Sequence, residues 1–336
     1  MEKISLQLDS SALLLFCCQL KEYHEVPLIT DEWLEVEKKI YHYGLKGPAS
    51  LLSMTGDEMI EMLQINEFCA YKMIERIKTM AIFISALNIL ETKGVNVITK
   101  YDERYPKDLL KYNKKRAPLY LFYCGDISII NRGISIAGLS EVGKKENAYT
   151  KRLVDKIIEE DRMYISNNTK GIDTVALHYA LHHGGKALCF VCDQLQEKSK
   201  EYRRYLKNKQ LVMLSAVAPN IKFDVTNAID RNGYVCGLSC YQIVIASNIN
   251  NGATWFTALQ NMHHHWTIPF VVENECIGNS RLLDMGAIPM RIKDILSEYS
   301  FDMIYDRNKK MIEEESVDID QMSIFEFLGE NNESRL

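Results

Sequence analysis

The sequence predicts an α/β fold: a mostly parallel sheet covered by helices on both faces, with a small all-helical region ahead of it. Three observations carry this. Helical periodicity stands alone through about residue 94, the period changes at Val95, and from there short β-branched runs alternate with amphipathic helices. The chain has 336 residues, 47% hydrophobic and 25% charged, which excludes disorder, collagen and coiled coil and allows one large domain plus a small one. The longest strongly apolar run, Ala12 to Cys18, is far short of the roughly 18 to 20 residues that span a bilayer. The amino terminus, MEKISLQLDSS, lacks the basic start and apolar centre of a secretory signal. A cytoplasmic protein without a membrane partner is expected.

Taken in order, residues 1–94 read as a helical domain. Apolar residues recur at helical spacing in DEWLEVEKKIYHYGL and again in AYKMIERIKTMAIFISALNILETKG, where Met73, Ile77, Met80, Ile84, Leu87 and Ile89 form the apolar side and Gly94 the stop. Between them lie a turn at Gly47-Pro48 and a capped start at Thr55 with Glu58 three residues on. Such bundles of short helices include SAM-like and helix-hairpin-helix modules. The glycine-hydrophobic-glycine hairpin that holds a phosphate is absent, so a packing or interaction role is expected. Residues 95–305 form the α/β domain, with strands drawn at VNVIT, GISIAG, RMYIS, KALCFVC, LVMLS, YQIVIAS and IPFVV, separated by helical stretches such as YTKRLVDKIIEED and TVALHYALHHG.

Metal and redox chemistry find little support. The nine cysteines are odd in number and scattered through apolar segments, and in KALCFVC the three-residue offset puts Cys189 and Cys192 on opposite faces of a strand. Cys236 and Cys240 have no second pair, and the run His263 to His265 fans around a helix end, which favours solvated imidazoles over a ligand set. No metal and no cofactor is expected. Net charge is −5, and from Asp306 onward nine acids face four bases, so the excess sits in residues 306–336, an acidic tail, and the body is neutral.

In a parallel sheet, ligands sit beyond the carboxyl ends of the strands, where loops and helix starts present unpaired N–H groups. Three such loops stand out: Gly138 to Gly143 after GISIA, Asn167 to Asp173 after YIS, and Asn248 to Thr254 after IVIAS. Each joins a strand end to small or Asn/Thr residues and a helix start, which suits a phosphate. None matches the dinucleotide or Walker A pattern, and each alone could be an ordinary capped helix. The candidate phosphate-binding residues are Gly138, Ser140, Ser166, Asn167, Lys170, Gly171, Asp173, Arg231, Asn232, Asn251, Gly252, Thr254 and Thr257.

Taken in order, these loops resemble the DNA-processing protein family DprA, also called Smf. The likeness begins at YDERYPKDLLKYNKKRAPLYLFYCGD, with Tyr105, Pro106, Leu109, Pro118, Leu119, Tyr120 and Gly125. It continues through ISIAG, Ser166, GIDTVALHYAL, DRNGYVCGLS and NGATWFTA to IGNSRLLDMGA, covering roughly residues 95–292. The resemblance implies an extended Rossmann-like, doubly wound domain that binds single-stranded DNA and hands it to the recombinase RecA, without catalysis. It also marks departures. Leu139 follows Gly138 where the family has Gly-Ser-Arg, and Ser166-Asn167-Asn168-Thr169 replaces Ser-Gly-x-Ala. Arg231-Asn232-Gly233-Tyr234 replaces Arg-Asn-Arg-Ile. Two guanidiniums are thus lost from the family's phosphate pocket.

Three readings follow. The first is a single-stranded-DNA-binding accessory factor in recombination, natural transformation or a response to foreign DNA. The second is a nucleotide-binding sensor that kept the fold. The third, a nucleotide hydrolase, ranks lowest, because no acid lies between Asn248 and His265. A homodimer is compatible with the sequence. Two positions, Asn167 and Asn251, stand where glycine is preferred, and Asn is expected to carry the left-handed turns there. In the tail, Gln321, Met322, Ile324 and Phe325 resemble the peptide that docks bacterial DNA enzymes on the sliding clamp, against the plainer reading of an amphipathic helix packed on the body.

Overall fold

The structure, a computed structural model, describes residues 7–313. The tail residues Gln321, Met322, Ile324 and Phe325 lie outside the described residues. The chain opens with α1 (Leu8–Cys17), α2 (Thr30–His42), α3 (Gly56–Glu61), α4 (Glu67–Lys78) and α5 (Met80–Thr92). The apolar run that is too short for a membrane becomes α1, buried from Ala12 through Cys17, as a helix that is hydrophobic all round must be. Helix α2 buries Trp33, Val36 and Ile40, three positions at helical spacing. At α3 the expected capping box is present: Thr55 Oγ1 accepts from the Glu58 amide at 3.2 Å, and Glu58 Oε2 accepts from the Thr55 amide at 2.8 Å.

The helix expected to run on to Gly94 is instead two helices, broken at Thr79. Its hydroxyl meets the Tyr23 hydroxyl at 2.7 Å and reaches back to the Glu75 carbonyl at 3.0 Å. One turn earlier, buried Arg76 donates to the carbonyls of Leu15, Glu25 and Cys18, tying the segment after α1 to α4. Beyond the break α5 is rotated: Phe83, Ala86 and Leu90 are buried, whereas Met80, Ile84 and Ile89, placed on the apolar side by periodicity, are exposed. Gly94 is the stop, at φ +79°.

The sheet then assembles from β1 (Asn96–Thr99), β2 (Tyr120–Gly125), β3 (Gly133–Ala137), β4 (Tyr164–Ser166), β5 (Ala187–Phe190), β6 (Leu211–Ser215), β7 (Ser239–Val244), β8 (Ile268–Val272) and β9 (Ile288–Met290). The helices between are α6 (Lys107–Asn113), α7 (Lys144–Glu159), α8 (Ile172–His182), α9 (Leu195–Glu201), α10 (Arg203–Lys207), α11 (Val225–Leu238), α12 (Gly252–His264), α13 (Ile277–Asp284) and α14 (Ile292–Ile295), with a final helix α15 over residues 301–313. Strands β2 and β9 are additions to the seven expected. The order is β1-β2-β6-β5-β4-β3-β7-β8-β9, and only β2 runs against its neighbours. The fold is therefore α/β, doubly wound and mostly parallel, as expected.

One face of the sheet is covered by the amino-terminal helices with α7, α8, α14 and α15, the other by α6, α11, α12 and α13. The change of element type at 94/95 is real, but the apolar core does not stop there: one continuous cluster joins Trp33 and Phe16 to Phe122, Tyr164 and Phe301. Across this seam Thr99 Oγ1 donates to Ser10 Oγ at 2.9 Å, and Glu37 receives Lys100 at 2.5 Å and the Tyr101 hydroxyl. The boundary drawn at 305/306 falls inside α15, whose Phe301, Ile304 and Asn308 are buried. All nine cysteines are free thiols, and no cluster of metal-ligating groups occurs among the described residues. His263, His264 and His265 are exposed at the end of α12. No helix of the described residues is long and apolar enough to cross a membrane.

Candidate nucleic-acid interface

Chain direction across the sheet decides where a site forms. From β3 the chain winds outward through β4, β5 and β6, then returns to β3's other side for β7, β8 and β9. The crevice between the carboxyl ends of β3 and β7 is therefore the topological switch point, the place where successive loops part to opposite faces. The three loops picked from sequence end β4, β3 and β7, which are adjacent. They enclose a cavity of about 350 Å³.

Its lining is polar and mostly neutral. The first loop contributes Ala137, Gly138, Leu139 and Ser140, the second Asn167, Thr169 and Lys170, and the third Asn248, Asn251, Gly252, Ala253 and Thr254, with Asn232 and Thr257 closing the base. No carboxylate, imidazole or thiol lines it. Lys170 is exposed and forms no ion pair among the described residues. The amide oxygen of Asn167 is buried without a partner in the described residues, which leaves an acceptor for a ligand's donor. Helix α12 starts here, with Gly252, Ala253 and Thr254 of its first turn in the lining, whereas α8 starts behind the cavity, where the Ile172 amide donates to the Leu139 carbonyl at 3.3 Å.

The second loop holds its shape through Asp173. Buried at the first turn of α8, its carboxylate accepts from the Tyr164 hydroxyl at 2.6 Å, Ser166 Oγ at 3.1 Å, the Asn167 amide at 3.3 Å, and the Thr169 amide and hydroxyl at 2.7 and 3.2 Å. Burial pushes its pKa up, against the pull of these donors and of the Arg231 charge. Gly171, at φ +89°, fits the second loop onto the first: a Cβ there would lie 2.3 Å from the Leu139 carbonyl oxygen. The third loop is joined by Thr254, whose hydroxyl donates to the Gly138 carbonyl at 2.7 Å.

Four expected site residues therefore stand behind the cavity rather than in its lining. Ser166 and Asp173 are buried in the loop's own hydrogen bonds, and Gly171 serves the contact between loops. Arg231, placed in the site from sequence, is buried and spends Nη1 on the Asn167 carbonyl at 2.6 Å and Nε on Asn232 Oδ1 at 3.1 Å. Asn232 in turn donates to Thr257 Oγ1 at 2.9 Å. Gly138, Ser140, Asn167, Lys170, Asn232, Asn251, Gly252, Thr254 and Thr257 are brought together as expected. The left-handed turns fall one position off: Asn168 and Asn250, at φ 54° and 53°, adopt them, and Asn251 is extended. Thr169 and Asn248 join the lining, and membership of the same short loops was the available signal for them.

The lost arginine of α11 has a structural counterpart. Where the resemblance expects a second arginine, Gly233 instead admits the Trp266 indole, 3.1 Å from where a Cβ would stand, and its carbonyl accepts from Asn113 Nδ2 at 2.8 Å.

Comparison with known proteins agrees with this architecture. A DNA processing protein DprA of Streptococcus pneumoniae is 28% identical over 212 residues, 60% of this chain and 73% of the relative. The solved structure of DprA from Streptococcus pneumoniae superposes with a TM-score of 0.62 at 21% identity, covering 82% of this chain and 94% of that one. A Helicobacter pylori DNA processing protein A, described with a single-stranded-DNA binding mode, superposes at 0.50 with 18% identity, covering 64% and 96%. At these identities the structural matches speak for the fold. The family model of DNA recombination-mediator protein A matches residues 96–300, well over half the chain, and the chain belongs to that family.

Proposed function

We propose that this protein is a non-catalytic, single-stranded-DNA-binding factor of DNA processing and recombination, holding the sugar-phosphate backbone at the β3/β7 crevice. The observation that carries the reading is a cavity lined by glycines, side-chain amides and hydroxyls and the first turn of α12, with one cation, Lys170, that no described carboxylate pairs, and no carboxylate in its lining. Such a site attracts a phosphate and offers no acid–base pair or nucleophile for chemistry. Family membership and the DNA-binding relative support the same reading, and delivery of the strand to a RecA-type recombinase is its natural extension. The tail motif would add a tether to a sliding clamp. A peptide spanning Asp318 to Glu330 is expected to bind purified clamp and its Phe325→Ala version is not.

The test is fluorescence anisotropy of a labelled single strand across a salt series. Affinity is expected to fall with a log–log slope of about −0.7 per phosphate contact. A second reading, a nucleotide sensor, is favoured by the missing guanidiniums and by a cavity of single-nucleotide size. A free nucleotide that raises the melting temperature, together with no strand binding at low salt, would decide for the sensor.

A further inference from the structure

Away from the cavity, on the face covered by α6, α11 and α12, the chain gathers cations that no described ion pair absorbs. Lys111 stands on α6, and the 3-10 turn that follows is Lys114-Lys115-Arg116; all four side chains are exposed, and none pairs with a carboxylate among the described residues. Across α11 lie His263, His264 and His265 at the end of α12.

Two glycines of α11, one helical turn apart, bring these segments together. A Cβ on Gly237 would lie 2.0 Å from Asn113 Oδ1, so the end of α6 seats directly on the helix. Gly233 admits Trp266 from the other side, and His264 stacks on that indole at 4.8 Å between ring centroids. The Arg116 charge reaches both Asp230 on α11 and His264, whose pKa is lowered by burial, then by His263, Arg116 and His265. Asp230 and, at the start of α6, Asp108, which pairs with Arg132, are set against four cations and three imidazoles.

This surface is continuous with the cavity. Asn232 lines the cavity and the next residue receives Trp266; α12 begins at the cavity with Gly252 and Thr254 and ends at the imidazoles. Its 13 residues span about 20 Å, which five or six nucleotides bridge even at a duplex spacing of about 3.4 Å per phosphate. Along the way Phe256, 54% exposed, shares a helical stripe with Gln260 and His263. An exposed ring beside a cationic path is a stacking platform for a base.

We propose that Lys115 and Arg116, supported by Lys111, Lys114 and the α12 imidazoles, form a second phosphate-contact surface for the strand that enters the cavity, with Phe256 stacking a base between the two. The inference rests on the reading of the cavity as a single-strand site.

Full-length protein is titrated by anisotropy with a two-nucleotide and a 20-nucleotide oligothymidylate over a salt series. The double variant Lys115→Gln/Arg116→Gln is expected to bind the long strand about tenfold more weakly, with a log–log slope shallower by about 1.4, and the short strand as wild type does. Phe256→Ala is expected to weaken the long strand at least fivefold at unchanged slope. Lys170→Gln should weaken both strands. Lys111→Gln, an independent exposed variant, should shift the long-strand slope by about 0.7 should the double variant fail to fold. A wild-type slope and affinity in the Lys115/Arg116 variant, with Lys170→Gln impaired, overturns the second surface and leaves the cavity reading standing. Wild-type protein that binds neither strand at low salt overturns both.

Discussion

Asp173 illustrates how a polar loop residue is decided by its surroundings. As a carboxylate at a helix start it could face a ligand or complement the helix dipole, and here it gathers five donors, two from β4 and three from its own loop. Asp173→Asn introduces a donor where only acceptors are wanted and is expected to cost roughly 2 to 3 kcal/mol in chemical denaturation. Arg231 follows the same logic as a positioning residue. Arg231→Ala should reduce strand affinity by loosening Asn167 while leaving the salt slope unchanged, since its guanidinium meets a carbonyl and not a phosphate. At the far end of β2, Lys209 and Ser128 hold the Asp126 carboxyl down to about 2. A depressed folded-state value adds stability above the ordinary range near 4 that is lost as pH falls through about 2. Asp126→Asn should therefore destabilise at pH 7, by under about 1 kcal/mol because the pair is solvent-screened, and the difference from wild type should vanish in melts near pH 2.

At the scale of elements, α11 is the member that others fit. Its Gly233 and Gly237 remove side chains so that Asn113 and Trp266 can close in from either side. Gly233→Arg, which restores the residue type the family resemblance expects, should lower stability by about 2 to 3 kcal/mol rather than rescue DNA binding, because the indole already occupies that space; thermal melts and anisotropy on one variant separate the two outcomes. The break at Thr79 has a similar cause. Periodicity sees an unbroken apolar stripe through residues 70–94, but buried Arg76 and the Tyr23 hydroxyl claim the backbone there and α5 turns Met80, Ile84 and Ile89 outward.

Over the whole molecule, the helical region and the sheet share one apolar cluster, and the polar seam through Ser10, Glu37, Thr99, Lys100 and Tyr101 crosses between them. They are expected to unfold together. Glu37→Gln removes one partner of a largely buried pair and should cost about 2 kcal/mol. In urea its midpoint should fall as a single transition by circular dichroism and by tryptophan fluorescence; a separate early phase would mean that the helical region is independent. The helical region's place on the sheet's face, remote from the β3/β7 crevice, suits a buttress for the edge strand β1 and its neighbour β2.

Local features were legible in the order of residues: the capped start at Thr55, the stop at Gly94, seven of the strands and the three loops of small and polar residues. These depend on periodicity and on neighbours within a turn or two, which the order of residues records directly. Strand β9 escaped because it is three residues long with Pro289 at its centre, and β2 because a short continuous apolar run shows no alternation to tell a strand from a buried helix; the strand order that sets three loops side by side is a product of distant pairing. Burial and long-range packing were needed to turn Arg231 and Asp173 inward, to give Asn168 and Asn250 the left-handed turns, and to bring the Arg116 charge within reach of His264. Whether a polar group faces a ligand or its own backbone depends on which donors and acceptors burial brings within about 3 Å; for Arg231 the acceptor comes from Asn167, 64 residues away, and for Thr254 from Gly138, 116 residues away.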